Sequence, residues 1–156
     1  MVQSTPSASN SSLLIRQLGL QSYLPILEAM RAFTHSRGHD TPDEYWVLEH
    51  EPVFTQGQAG KASHILNAHH IPVVQSCRGG QVTYHGPGQI TLYTLVDLDR
   101  RGCSTRQWVT FLEKAMLNTL AHYGIEGHTQ DKAPGVYIQE QKIGSVGLRV
   151  RQGRCY

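Results

Sequence analysis

Residues Arg78 to Gln89 read RGGQVTYHGPGQ and lead directly into the apolar run Ile90 to Val96. Gly79, Gly80, Gly86 and Gly88 frame a short Val82-Thr83-Tyr84 run, with Arg78 before it and His85 after it. Glycine has no Cβ to hold other groups away, so this density beside a short strand predicts backbone shaped around a ligand. The apolar run Ile71 to Gln75 enters the segment and Ile90 to Val96 leaves it, which places the glycine-rich stretch between strands.

Working outward, Leu13 to Leu18 reads as a first strand. Ser22 stands where it could cap a helix with apolar positions Tyr23, Ile26, Leu27, Met30 and Phe33, and Gly38 is the expected stop. Pro25 falls in the first turn, where its missing N–H costs little. Arg37 to Glu44 reads as loop, Tyr45 to His50 as strand, and Glu51-Pro52 as turn. The clearest helix carries Trp108, Phe111, Leu112, Ala115, Met116, Thr119, Leu120 and Tyr123 at three-and-four spacing, which predicts one core-facing stripe. Ser104 and Gln107 have capping-box spacing before it, and Gly124 is the expected stop after it. Gly135 to Gln139 and Lys142 to Arg151 read as two strands joined near Glu140-Gln141, without a tight-turn glycine. Strands outnumber helices and do not alternate with them, so the expected class is α/β of the α+β kind, a mixed sheet with packed helices.

Composition fits one domain: 156 residues with 39% hydrophobic content can bury roughly 70% of the unfolded surface. Residues 1–12 are Ser-rich and read as a flexible tail, leaving 13–156 as the domain. A net charge of +2 argues against nucleic acid. Cys77, Cys103 and Cys155 lack disulfide-framework or zinc spacing and suit a reducing compartment, so a cytoplasmic location is expected. No run reaches a membrane span, and no secretory signal opens the chain. His64, His69, His70 and Cys77 match no zinc template and HExxH is absent, so no metal is expected. GxxxxGK[ST], GxGxxG and GxSxG motifs are also lacking, and no cofactor is expected.

Lys142 opens KIGSVGLRV, where Gly144, Ser145 and Gly147 again permit close approach. If partly buried, its ammonium would exchange protons near neutral pH or stabilise a thiolate or oxyanion; otherwise it is an exposed strand lysine. Arg149, Arg151 and Arg154 form either a solvated strand face or a docking surface for an acidic domain.

RGGQVTYHGPGQ at Arg78 to Gln89 and KIGSVGLRVR at Lys142 to Arg151 together resemble the lipoyl(octanoyl) transferases of the LipB type. HEPVFTQG at His50 to Gly57 and APGVY at Ala133 to Tyr137 extend the resemblance over nearly all of the chain after the tail. It implies the biotin/lipoate protein ligase catalytic-domain fold. It further implies transfer of an octanoyl group from octanoyl-acyl carrier protein, through a cysteine thioester and without ATP. The implied acceptors are lipoyl domains of 2-oxoacid dehydrogenase complexes and the glycine cleavage H protein.

Carried over by position, Arg78, Gly79, Gly80, Gln81, Val82, Thr83, Tyr84 and His85 would line the acyl pocket, with Tyr84 and His85 at its mouth. Ser145, Val146 and Gly147 would complete the wall. Lys142 would lower the nucleophile's pKa and shuttle protons. In the family the chain continues past the position of Tyr156 into a His-Gly segment, further pocket residues and the nucleophilic cysteine. Residues 13–156 are therefore expected to be a single octanoyltransferase-like catalytic domain lacking its C-terminal part, and its three cysteines are not expected to carry the acyl group. The competing expectations are a lipoate or biotin protein ligase using ATP and a non-catalytic acyl- or carrier-binding module; Gly86-Pro87-Gly88 resembles the transferase more closely.

Overall fold

The computed structural model describes residues 13–156, so the tail reading of residues 1–12 lies outside the described residues. In chain order the elements are β1 (Leu13–Gln21), α1 (Tyr23–Ser36), β2 (Asp43–His50), β3 (Val53–Gln56), β4 (Val73–Gln75), β5 (Val82–His85) and β6 (Thr91–Asp97). They continue with α2 (Thr105–His122), β7 (His128–Thr129), β8 (Gly135–Ile138), β9 (Gln141–Ser145), β10 (Val150–Arg151) and β11 (Arg154–Cys155). A short 3-10 turn spans Ala62–His64. The α+β class with mixed strand pairing holds, and the sheet is divided into three. A five-stranded sheet has the order β1-β2-β6-β11-β10, and two three-stranded sheets have the orders β4-β3-β5 and β7-β8-β9. β1 and β2 pair in parallel from Leu13↔Asp43 to Gln21↔His50, while β2 and β6 are antiparallel.

The three-and-four spacing of α1 turns Tyr23, Ile26, Leu27 and Met30 inward. They pack with Trp46, Leu48, Val53 and Leu95 in one core cluster. Burial of a side chain such as Leu27 or Met30 contributes about 1.5–3 kcal/mol, which explains why this helix fixes the position of the sheet beneath it. Pro25 is inside the first turn as expected. Ser22 occupies the cap position but makes no side-chain cap bond; its hydroxyl donates to the Glu51 carboxylate instead.

The helix ends at Ser36 with Arg37 as its C-cap, so Gly38 follows it as expected, though without a positive φ. Arg37 leaves it in an extended conformation, φ −65° and ψ 133°. Its guanidinium is drawn to Asp43, where Oδ1 accepts from Arg37 Nη2 at 2.7 Å and from Arg100 Nη2 at 2.6 Å. Arg101 Nε donates to Oδ2 at 2.7 Å, and the Asp97 amide donates to Oδ1 at 2.9 Å. Asp43 is wholly buried, and these bonds outweigh its desolvation to hold the carboxyl below its usual range. Strand β2 therefore begins at Asp43, two residues earlier than the sequence suggested, because this cluster fastens its first residue.

Helix α2 has the expected Ser104–Gln107 capping box, and Gly124 follows it with φ +70°. Its apolar stripe is covered only in part. Trp108 is buried at 4%, but Phe111 and Tyr123 are 53% and 73% exposed. The short third sheet explains this distribution: Gly144 meets Met116, and Gly127 lies against Leu117 and Leu120, leaving both ends of the stripe open.

The β8–β9 hairpin turns through Gln139, whose φ of +52° supplies the left-handed residue for which no glycine was available. Lys142 to Arg151 is not one strand. Strand β9 stops at Ser145, and β10 begins at Val150 in the other sheet. The intervening residues cross between sheets, and that crossing builds the site.

Candidate functional site

Strands β3 and β5 pair antiparallel with Val53 opposite His85 and Thr55 opposite Thr83. Alternation gives these four side chains one face and Phe54 and Tyr84 the other. On the first face His85 stacks with Tyr23, centroids 6.3 Å apart and planes 11° apart, and meets His50 edge-on at 5.6 Å. His50 in turn meets Tyr23 at 5.3 Å and Tyr93 at 5.8 Å. Four elements thus contribute one ring each to a polar-aromatic cluster. Tyr84 packs on Phe54 at 5.4 Å on the opposite face, so the two side chains expected together at a pocket mouth point to different sides of β5.

The cluster is hydrogen-bonded and electrically neutral. Tyr23 donates to Ser76 Oγ at 2.8 Å. His50 Nδ1 lies 3.0 Å from the Gln21 carbonyl, which can only accept, so Nδ1 carries the proton. Nε2 of the same ring then accepts from the Tyr93 hydroxyl at 2.8 Å. Burial lowers the pKa of His50 and outweighs the Gln21 bond that would raise it. Burial also raises Tyr93 far above the ordinary phenol range. His85 is lowered as well, chiefly by burial, with the Arg78 charge adding to it, against a raising bond to Gln89.

Arg78 supports this face from behind. Its Nε and Nη2 donate to Thr55 Oγ1 at 3.2 and 2.8 Å, Nη2 donates to the Thr55 carbonyl at 2.6 Å, and Nη1 to the Gly79 carbonyl at 2.9 Å. All four bonds go to neutral oxygens. Burial pulls its pKa down, yet guanidinium remains charged at any physiological pH.

Two other loops enclose the Arg78–Gln81 turn. On one side Gly57, Gln58 and Ala59 donate their amides to the carbonyls of Gln81, Arg78 and Gly80, each at 3.0 Å. A Cβ on Gly57 would run into the Gly79 and Gly80 carbonyls, so this approach requires glycine. Gly80 itself has φ +84°. On the other side the Gly79 amide donates to the Leu148 carbonyl at 2.9 Å, and a Cβ on Gly147 would lie 3.2 Å from Arg78 Cδ. The two glycine-containing motifs of the sequence therefore touch at Arg78-Gly79 and Gly147-Leu148.

Other expected site residues are arranged less uniformly. Gln81 is exposed and contributes its carbonyl, while Val82 and Thr83 lie in the β3–β5 ladder. Ser145 pairs with Gly135 at the end of β9, and Val146 is half-buried. Lys142 is exposed: Nζ donates to the Pro134 carbonyl at 3.0 Å and stands 5.0 Å from the Tyr137 ring centroid. The partial burial that the sequence reading required is not found; the stem runs past Gly135, where a Cβ would lie 3.3 Å from Lys142 Cε.

The cysteines occupy different environments. Cys155 is wholly buried, which pushes its thiol up to about 11. Burial also raises the Cys77 thiol, but hydrogen bonds with the Tyr156 hydroxyl at 3.5 Å and Arg31 Nη2 at 3.7 Å outweigh it and bring the net value below the usual one. Cys103 Sγ donates to the Ser104 carbonyl. Of the basic run, Arg154 turns toward Asp97, 3.7 Å away. Among the described residues no three His, Cys, Asp or Glu side chains converge as a metal site. No helix among them is long and apolar enough to cross a membrane.

Sequence reading missed Tyr23, Thr55, Ser76 and Tyr93 as parts of this cluster. The usable signal was in HEPVFTQG: once His50 and Thr55 are placed on adjoining strands, alternation directs Thr55 toward the His85 face.

This arrangement of α1 over mixed sheets is the fold of a recognised class. Residues 22–156 match the lipoyl protein ligase A/B catalytic domain, and the chain belongs to that family. Among its curated relatives, an octanoyltransferase of Klebsiella pneumoniae is 59% identical over 144 residues, covering 92% of this chain and 67% of the relative. An octanoyltransferase of Aeromonas hydrophila is 56% identical, covering 96% and 69%. The chain therefore spans about two thirds of the length of these relatives. Among solved structures, lipoate-protein ligase A bound with ATP aligns with TM-score 0.67 at 14% identity, covering 92% of this chain and 62% of that one. A bipartite lipoate protein ligase of Thermoplasma acidophilum aligns at 0.65 and 17%, covering 92% and 57%. At those identities the structural likeness establishes the fold.

Proposed function

We propose that this chain forms the acyl-binding wall of an octanoyltransferase. One observation supports the reading: the Gly79 amide to Leu148 carbonyl bond brings the Arg78-Gly79 turn against Gly147-Leu148, beside the ring cluster. Such a surface suits an uncharged acyl chain, because its rings are neutral, their polar atoms are already paired with one another, and they offer the chain flat faces. The octanoyltransferase relatives at 56–59% identity favour this substrate over a free acid activated by ATP.

In this reading the donor is octanoyl-acyl carrier protein and the acceptors are lysines of lipoyl domains and of the glycine cleavage H protein. In the reaction the resemblance implies, a cysteine thiolate that is none of Cys77, Cys103 and Cys155 attacks the donor thioester and releases the carrier thiol; the acceptor amine then attacks the enzyme thioester and releases the thiolate. By the resemblance Lys142 would take and return the proton in both steps; exposed as it is here, its cation can favour the thiolate, and the proton role requires that the docked donor or acceptor cover it.

The purified chain can be offered octanoyl-carrier protein in one reaction and free lipoate with ATP in another, with adducts and nucleotides read by mass spectrometry. Saturable octanoyl-carrier binding and no acyl-adenylate are expected. Adenylate formation without any response to the octanoyl carrier would assign ligase chemistry instead.

A further inference from the structure

We propose that Thr55 is a positioning residue that fixes His85 as a single neutral tautomer, with the proton on Nδ1, so that His85 is an inert wall of the site and carries no proton in the reaction. The argument follows the direction of the hydrogen bonds. Arg78 can only donate, and both Nε and Nη2 point at Thr55 Oγ1, 3.2 and 2.8 Å away. These two bonds occupy the hydroxyl's lone pairs. Its one proton is left for His85 Nε2 at 3.2 Å, which must then accept.

The other end of the chain requires the same direction independently. The Tyr84 carbonyl can only accept, and Gln89 Nε2 donates to it at 3.1 Å. This fixes the side-chain amide with Oε1 toward His85 Nδ1, 2.6 Å away, so Nδ1 must donate. Donor-only Arg78 and the acceptor-only Tyr84 carbonyl therefore polarise one relay: Arg78 to Thr55 to His85 to Gln89 to Tyr84. Both ring nitrogens are engaged within the protein. Thr55 is fully buried, so water does not replace its hydroxyl.

The tautomer assignment stands on these contacts alone; its consequence for proton transfer rests on the acyl-transfer reading above. Under that reading His85 presents its ring to the acyl group, and proton movement falls to other groups.

The test is a long-range proton–nitrogen correlation spectrum of the chain labelled at histidine nitrogen, recorded near pH 7. The His85 signals are assigned by their loss in His85→Gln. The wild-type ring is expected to show only the Nδ1–H pattern. Thr55→Val and Arg78→Met should each admit the second tautomer, and Thr55→Ser should restore the single one. A wild-type ring that is Nε2-protonated or mixed overturns the proposal, even if the variants do not fold. So does an Nδ1–H pattern unchanged in both Thr55→Val and Arg78→Met. Titrating octanoyl thioester into the same sample separates the two readings. If His85 does not respond, the acyl pocket is contradicted while the tautomer assignment remains.

Discussion

The Gly79 amide donates to the Leu148 carbonyl at 2.9 Å, and behind it the Gly57 amide donates to the Gln81 carbonyl at 3.0 Å. Three backbone segments are thereby layered, with the Arg78 side chain the group that both Gly57 and Gly147 leave room for. The turn is held by main chain, and its shape depends on what glycine leaves out.

Gly57→Ala tests that dependence. The added methyl meets the Gly79 and Gly80 carbonyls, which are backbone and cannot rotate away. Overpacking of this kind costs about 1–3 kcal/mol. Urea unfolding should register that loss, and octanoyl binding should weaken with it. A variant with wild-type stability and affinity would show that the layering does not matter.

Asp43→Ala should destabilise much more. It leaves the buried Arg37 and Arg100 guanidinium groups without the carboxylate that both contact. Removing one partner from a buried pair costs about 3–5 kcal/mol. The chemical-denaturation midpoint is the measurement. A small change would mean that water enters the cluster and solvates the arginines.

Stability should also fall in mild acid. His50 and His85 have folded values below the ordinary 6.5, chiefly through burial. The unfolded chain therefore binds protons first as the pH drops. Stability is fully present above about pH 6.5 and is lost as the pH falls from there toward the lowered folded values. Asp43 and Glu44 are also lowered, but from 3.8 and 4.5, so their contribution is lost at more acid pH. Unfolding midpoints at about pH 7.5 and about pH 5.5 test this, and equal midpoints would contradict the buried, neutral state of the two rings.

The cysteines should react in a definite order. A thiol-alkylating reagent near neutral pH should modify Cys77 well before Cys155, because Cys155 is sealed and raised to about 11 whereas Cys77 is half-buried and lowered. Peptide mass spectrometry over time gives the order. Equal rates would show that the native core opens faster than either thiol reacts.

Local signals in the sequence were dependable where one turn of chain decides the structure. Ser104 and Gln107 marked the start of α2, and Gly124 its end, because caps involve residues three or four positions apart. Partners distant in sequence left no such mark. Gly38 stood just after the α1 cap as read, but nothing local announced that Asp43 would gather Arg100 and Arg101 from 57 and 58 positions away and start β2 early. The α2 stripe had the right period, yet its exposure was set by a third sheet too short to cover it. The Arg78–Gln89 turn was legible as a place of close backbone approach from its glycines. Tyr23, Thr55 and Tyr93 were not, because each belongs to a different element and only the assembled sheets bring them to His50 and His85.

The central claim is that the Arg78–His85 and Ser145–Gly147 segments line the octanoyl chain. It is tested most directly with an octanoyl thioester bearing a photoreactive diazirine at its far end. After irradiation, peptide mapping should locate the crosslinks within these two segments or on the ring cluster of Tyr23, His50 and Tyr93. Crosslinks confined to the exposed stripe of α2 around Phe111 and Tyr123 would contradict it.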